Sequence, residues 1–455
     1  MSLSTTGGED SMRVFLALLI GFLLTTPFDM LRAEDWLQFR GPGSRGIADA
    51  SSIPDSWTTE ENVAWSVKTR GLGWSSPVIV GKRIFYTTVI NDGKTDSPRK
   101  GLYFGGNRSA IPDSQHHWLV VCRDLENGKV LWEKQVQEGR PSNAVHLKNT
   151  LASETPVSDG TYLYTYFGNH GLHCFDLEGK QVWSKPMKAH KIRYEWGTAA
   201  SPVLHGDRLY VIDDNEEEST LTSYDKKTGE QKWQVKREEK SNWATPFVWK
   251  NDVRTEIVTP GTGMTRAYDL EGKELYRFRG ASSITIATPY TAHGLLYISS
   301  GYVLDGKRPI FAIRPGSEGD ISLEGKQTSN NYIQWCQPLA APYNPTTLVY
   351  KDLLYVLYDR GFFACYDAKT GAEVYSKQRL PMGRAFTSSP WACGGKVYCL
   401  NEDGVTFVIK AGRTFELLGT NALAEVDMCM ATPAIVGNRL VIRTAAHIYC
   451  ISTQK

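Results

Sequence analysis

The chain has 455 residues, of which 41% are hydrophobic and 22% charged, and its formal net charge is +2. That is apolar material for a large core, and the dispersed, nearly balanced charge excludes a polybasic nucleic-acid groove or membrane-surface patch.

The first element in the chain is a secretory signal. Arg13 is followed by an apolar run over residues 14–24 and then by Leu31-Arg32-Ala33, giving charge, core and small residue in the order of a cleavable leader. Eleven apolar or small residues are too few to span a bilayer. Residues 1–33 are therefore expected to be removed, with export to the periplasm or cell envelope and no transmembrane segment left behind. Residues 34–62 form an extended N-terminal segment, and Val63-Ala64-Trp65-Ser66-Val67 reads as a strand.

From there one pattern recurs eight times: a small residue or Thr, a Pro, an apolar run, a turn, further short apolar runs, an Asp-x-x-x-Gly turn and an aromatic. The anchors are Ser76-Pro77, Thr155-Pro156, Ser201-Pro202, Thr245-Pro246, Thr288-Pro289, Asn344-Pro345, Ser389-Pro390 and Thr432-Pro433. Five of the seven intervals are 43 to 46 residues, and the two longer ones carry polar insertions. A period of this size suits a four-stranded propeller blade. In the third unit the strands are Val203-Leu204, Leu209-Tyr210-Val211-Ile212, residues 221–224 and Gln231-Lys232-Trp233-Gln234, separated by Gly, Asp or Asn turns. The Asp-x-x-x-Gly turn has a mechanical reason to recur, because the Asp caps backbone N–H groups ahead of it and Gly takes the left-handed position. The aromatics that follow, Trp132, Trp183, Trp233, Tyr276, Trp335 and Tyr375, are expected to pack between neighbouring blades.

The fold class is therefore all-β: an eight-bladed β-propeller of four-stranded antiparallel blades, a single domain over residues 63–455. Only 22 residues follow Pro433, whereas Trp233 lies 31 after Pro202, so the last unit has room for three strands. The N-terminal strand at 63–67 is expected to complete it. Of the eight cysteines, Cys122, Cys174, Cys365 and Cys450 fall at equivalent third-strand positions and read as small buried hydrophobes. Cys393 and Cys399 flank the Gly394-Gly395 hairpin, and whether they pair is left open. The acidic stretch at 213–218 reads as a solvated loop, and no metal site is assigned.

Aligned this way, Asp225-x-x-Thr228-Gly229-x-x-x-Trp233 resembles the repeat of the pyrroloquinoline-quinone-like (PQQ-like) eight-bladed propellers, over residues 63–455. That superfamily includes quinoprotein alcohol dehydrogenases and the outer-membrane assembly lipoprotein of the β-barrel machine. Asp35-Trp36-Leu37-Gln38-Phe39-Arg40-Gly41-Pro42, Pro54-x-x-Trp57 and Gly71-x-Gly73-x-Ser75-Ser76-Pro77 are similar to secreted PQQ-like propellers of planctomycete-type bacteria. The dehydrogenase resemblance implies a quinone held between an aromatic plane and a disulfide of adjacent cysteines, with Ca²⁺ beside a catalytic Asp. This chain has no adjacent cysteines, so no cofactor is expected.

Loops entering each innermost strand, and those between strands two and three, share the face around the channel mouth, where a scaffold concentrates binding groups. They carry Trp74, His146, Asn149, Asn169, His170, Glu195, Trp196, Trp243, Arg360, Arg384 and Phe386. The insertion at 89–117 is expected to project over the same face. The resulting expectation is an exported, monomeric, noncatalytic scaffold that binds an envelope protein, a peptide or a glycan there; a propeller enzyme using the same face is the alternative.

Overall fold

The structure, a computed structural model, describes residues 35–49, 51–94, 98–101, 109–424 and 427–453. The expected signal at 1–33 lies outside them. Eight antiparallel sheets follow one another along the chain. Blade 3 shows the plan, with Val203–His205 innermost, then Arg208–Asp213, Thr220–Asp225 and Gln231–Lys236 outermost. The last blade takes Ala434–Val436, Arg439–Arg443 and His447–Ile451 from the C-terminal end, and Val63–Lys68 pairs as its outer strand, with Trp65 opposite Cys450. Blade 4 gains a fifth strand, because Gly319–Asp320 from the blade 5 insertion pairs parallel to Tyr276 and Arg277. Among the described residues helix is confined to three single 3₁₀ turns, and no helix is long and apolar enough to cross a membrane.

Two sets of contacts join the blades. On the outside, each outer-strand Trp lies against the Asp-x-x-x-Gly turn of the next blade. Trp65, Trp132, Trp183, Trp233 and Trp335 donate their indole N–H to Leu125, Leu177, Lys226, Leu270 and Ala368 carbonyls at 2.9 to 3.0 Å. A Cβ on Gly179, Gly229 or Gly371 would lie 2.7 Å from the ring, so the turn glycine admits the indole as well as the left-handed φ. On the inside, a belt of hydroxyls links the innermost strands. The N–H groups of Ser76, Thr155, Ser201, Thr288, Thr346, Ser389 and Thr432 each donate to the Ser or Thr side chain of the next blade, at 2.9 to 3.1 Å. This belt corrects one anchor: in blade 6 the equivalent residue is Thr346, so Asn344-Pro345 lies two residues upstream, in the mouth loop.

The N-terminal segment enters the channel from the face opposite the mouth. Trp36 and Ile79 exchange backbone hydrogen bonds, Leu37 accepts from Ser158, and the returning limb pairs Gly46 and Ala48 with Ala392. At its tip Arg40, fully buried, donates to the carbonyls of Ser44, Arg45, Thr346, Thr347 and Pro390. A buried cation is sustained there by saturating its donors. The segment is thus a plug that also satisfies edge groups of the innermost strands.

All eight cysteines are buried and unpaired. Cys393 and Cys399 sit in separate cores on the two sides of blade 7, so they do not pair. The 213–218 stretch is not simply solvated: Asp214 is buried and forms a bidentate pair with Arg237 at 2.8 and 3.0 Å.

Candidate functional site at the channel mouth

The chain enters each innermost strand just above the hydroxyl belt, and four of these entries bring a large ring there. Trp74 and Trp243 stand two residues before their belt hydroxyls, Tyr343 three and Trp196 five. They surround a cavity of about 200 Å³ together with His146, Lys148, Asn149, Asn344, Thr387 and Met430. A smaller chamber of about 120 Å³ continues into the channel between the belt residues, and Phe39 of the plug is part of its wall. The site is therefore a blind pocket.

Two of the four rings are held by their own polar ends. Trp74 donates to the Lys148 carbonyl at 2.6 Å and Trp243 to the Gly197 carbonyl at 2.7 Å. Trp196 lies 5.7 Å from Trp243 between centroids and meets His146 edge-on at 5.2 Å, while its indole N–H is buried without a partner. Tyr194 covers Trp196 at 4.9 Å from an exposed tip at which both Tyr194 and Glu195 are left-handed, with φ of 54°. Two consecutive non-glycine residues in that region are strained, and strain of this kind collects at functional sites.

The polar wall is charge-compensated. Lys148 Nζ lies 2.6 Å from Glu402 Oε1, both side chains are buried, and Thr387 Oγ1 donates to the same oxygen at 2.7 Å. Glu402 Oε2 accepts from the Gly101 N–H at 2.9 Å, which brings the 89–117 insertion across the mouth from blade 1 to blade 7. His146 Nδ1 accepts the Lys148 N–H at 3.1 Å, and burial, aided by the Lys148 charge, lowers its pKa to about 4. It is a neutral imidazole at pH 7. Asp359 accepts from both Tyr343 and Asn344 N–H at 2.8 Å and from Asn344 Nδ2 at 2.7 Å, fixing that loop; burial raises its pKa.

Of the residues expected at this face, the structure brings Trp74, His146, Asn149, Trp196 and Trp243 together. Glu195 is on the strained tip beside them. Asn169 instead ties the blade 2 loop to the backbone of His190, and His170 stacks on Trp118 at 4.0 Å. Arg360 and Arg384 are exposed outside the pocket. Phe386 is a correction: it is fully buried against Phe407 in the core between blades, because its loop turns inward at Gly383. Lys148, Tyr343, Thr387 and Glu402 were not singled out from the sequence, and Asn344 was read there only as a repeat anchor. Tyr343 was within reach, as an aromatic beside an anchor; Lys148 and Glu402 meet only through ring closure, 254 residues apart. Part of the insertion, including residues 102–106, lies outside the described residues. Its described flanks donate from Arg99 and Ser109 to the carbonyls of Leu147 and Val145.

The pocket does not fit a quinone in the dehydrogenase manner. No cysteine lines it, its buried carboxylate is engaged by Lys148 and Thr387, and no three metal-ligating side chains cluster among the described residues.

No curated protein matches the chain. Among solved structures it is similar to BamB from Moraxella catarrhalis, with a TM-score of 0.56 and 13% identity over 85% of this chain and 96% of that one. It is also similar to the quinohemoprotein alcohol dehydrogenase of Comamonas testosteroni, with a TM-score of 0.56 and 13% identity over 93% and 81% of the two chains. The enzyme ADHIIG from Pseudomonas putida HK5 gives 0.57 at 10% identity over the same shares. These likenesses show the fold. The chain is an eight-bladed propeller, and its residues 116–248 match the family model described as outer membrane protein assembly factor BamB.

Proposed function

We propose that the chain is an exported, noncatalytic propeller that binds a protein, peptide or glycan on its channel-mouth face. The observation that carries this reading is the blind pocket of Trp74, Trp196, Trp243 and Tyr343, whose one buried ion pair is internally compensated. Rings fixed by polar ends, as Trp74 and Trp243 are, or by neighbouring rings, as Trp196 and Tyr343 are, offer rigid contact area at low entropic cost, and aromatic anchors of this kind dominate binding energy. The BamB likeness is in keeping with a protein partner in the envelope, and the leader-like N-terminus supports export.

The test is titration of the purified chain with extended peptides and neutral oligosaccharides, followed by tryptophan fluorescence. A saturable ligand is expected, with Trp196→Ala and Trp243→Ala each weakening it by about 1–2 kcal/mol while the fold is retained. Binding that survives both changes but is abolished by substitutions in the 225–229 turn would place the site on the opposite face. A parallel titration with pyrroloquinoline quinone and Ca²⁺ is expected to give no saturable change. Micromolar binding with dye-linked alcohol oxidation would replace this reading with the oxidoreductase one.

A further inference from the structure

A second cavity, of about 400 Å³, opens on the face opposite the mouth, between the plug and the inner hairpins of blades 5 and 6. The turns that border it depart from those of four other blades. In blades 1, 3, 7 and 8 the first residue of the inner hairpin turn is a left-handed glycine: Gly81, Gly206, Gly394 and Gly437, with φ of 56 to 57°. Blades 5 and 6 use the same conformation at His293 (φ 53°) and Lys351 (φ 55°). Side chains are disfavoured there, lysine more than histidine, and strain is kept where a side chain has a task. The two residues adjoin, with His293 Nε2 2.7 Å from the Lys351 carbonyl oxygen, and both line the cavity.

The other groups in the wall define what fits. Among the described residues Arg45, exposed on the returning limb of the plug, makes no side-chain hydrogen bond or ion pair, and the Lys351 ammonium meets only the Tyr350 ring, at 5.6 Å. Trp36 is buried with its indole N–H unpartnered. The acids nearby are already engaged: Asp49 by the Tyr350 hydroxyl at 2.6 Å, and Asp352 by Lys369 at 3.0 Å with His293 at 3.7 Å. Ile47, Val349 and Ile435 add apolar surface to the wall. Asp49 is also in the wall, but neither Arg45 nor Lys351 forms an ion pair with it; two cationic heads against one carboxylate leave the wall net cationic, and beside apolar surface they suit an anion with an apolar body.

We propose that this cavity binds a small organic anion, a phosphate or carboxylate on a compact apolar body, with Arg45 and Lys351 as its counter-charges. The proposal is independent of the mouth pocket. Calorimetric titration of the full chain compares para-nitrophenyl phosphate, para-nitrobenzoate, neutral para-nitrobenzyl alcohol and inorganic phosphate. One or both aryl anions are expected to bind saturably, the two arms separating phosphate from carboxylate, and the alcohol and inorganic phosphate to bind roughly tenfold more weakly or worse. Lys351→Gly is expected to raise the melting temperature, by relieving the left-handed lysine, while weakening the aryl anion roughly tenfold. Arg45→Gln should weaken it similarly at an unchanged melting temperature. Gly206→Lys, which puts a lysine on the same turn in blade 3, should lower the melting temperature and leave binding intact. The proposal is overturned if neither aryl anion saturates at millimolar concentration, if the alcohol binds as tightly, or if Lys351→Gly and Arg45→Gln both bind like the parent chain.

Discussion

Glu154 shows how a single side chain near the mouth sets a dependence on pH. It is buried beside the belt, its carboxyl takes a 2.5 Å hydrogen bond from Thr198 Oγ1, and burial pushes its pKa up to about 7. In the unfolded chain it titrates near the ordinary value of 4.5. Between these values the native state holds a proton that the unfolded state has lost, so stability falls as pH rises from about 4.5 to about 7, by up to about 3 kcal/mol. His146 slopes the other way: its pKa of about 4 is depressed, so stability falls as pH drops below about 6.5 and the unfolded imidazole takes a proton. Glu154→Gln isolates the first effect. It is expected to melt higher than the parent at pH 8 and at the same temperature at pH 4; a shift of equal size at both values would mean that the carboxyl is not neutral in the fold. Nothing in the sequence marks Glu154, because its partner Thr198 belongs to the next blade and its burial comes from packing between blades.

At the scale of the element, what was legible was whatever repeats. The aromatic after each Asp-x-x-x-Gly turn carries the period, so its place between blades follows from spacing alone. The contact itself is visible only in the structure: each indole lies on the following blade's glycine, and where the aromatic is Tyr276 or Tyr375 that bond to the neighbouring turn is replaced by contacts with Glu256 or Phe415. Features without a period were misread or missed. Asn344-Pro345 looked like an anchor because Pro is the most visible letter of the pattern, yet the hydrogen-bonding hydroxyl is Thr346. Phe386 looked like a mouth residue because loops were assigned by position, and position does not say which way a ring turns. The docking contact gives a sharp comparison. Gly229 and Gly206 are both left-handed, but a methyl on Gly229 would lie 2.7 Å from Trp183, and one on Gly206 meets nothing within 4 Å. Gly206→Ala is expected to cost about 1 kcal/mol from backbone strain alone, and Gly229→Ala at least about twice that because the indole must also move. Equal losses in urea unfolding would mean that the ring contributes nothing to the choice of glycine.

For the whole molecule, ring closure and channel closure both depend on residues before the first blade. Residues 35–49 fill the channel from one end and bond to blades 1, 2, 6 and 7, while Val63–Lys68 supplies the outer strand of blade 8. Among the described residues seven of the eight non-glycine left-handed residues gather at the same two ends, Arg40, Ser44, His293 and Lys351 around the plug and its cavity, Tyr194, Glu195 and Met382 at the mouth; the eighth, Asn62, immediately precedes the outer strand of blade 8. The blades between them are regular, as expected where strain is confined to the parts that bind or close. The two N-terminal contributions separate experimentally. A chain beginning at Asn62 keeps the strand and loses the plug; it should still unfold in one cooperative transition, at a lower temperature, because the edge groups and carbonyls that Arg40 and its neighbours satisfy are left to water. A chain beginning at Ser76 also loses Val63–Lys68 and with it Trp65, whose indole is the outer link from blade 8 to blade 1. Without that strand the His447–Ile451 edge is bare, the seam keeps the belt bond from Thr432 to Ser76, the Arg439–Glu126 pair and the apolar contacts between blades 8 and 1 but loses its outer link, and unfolding should become broader and less cooperative. Should the Ser76 chain melt as sharply and as high as the chain beginning at Asn62, the outer strand is dispensable and the inner contacts between blades 8 and 1 close the ring without it.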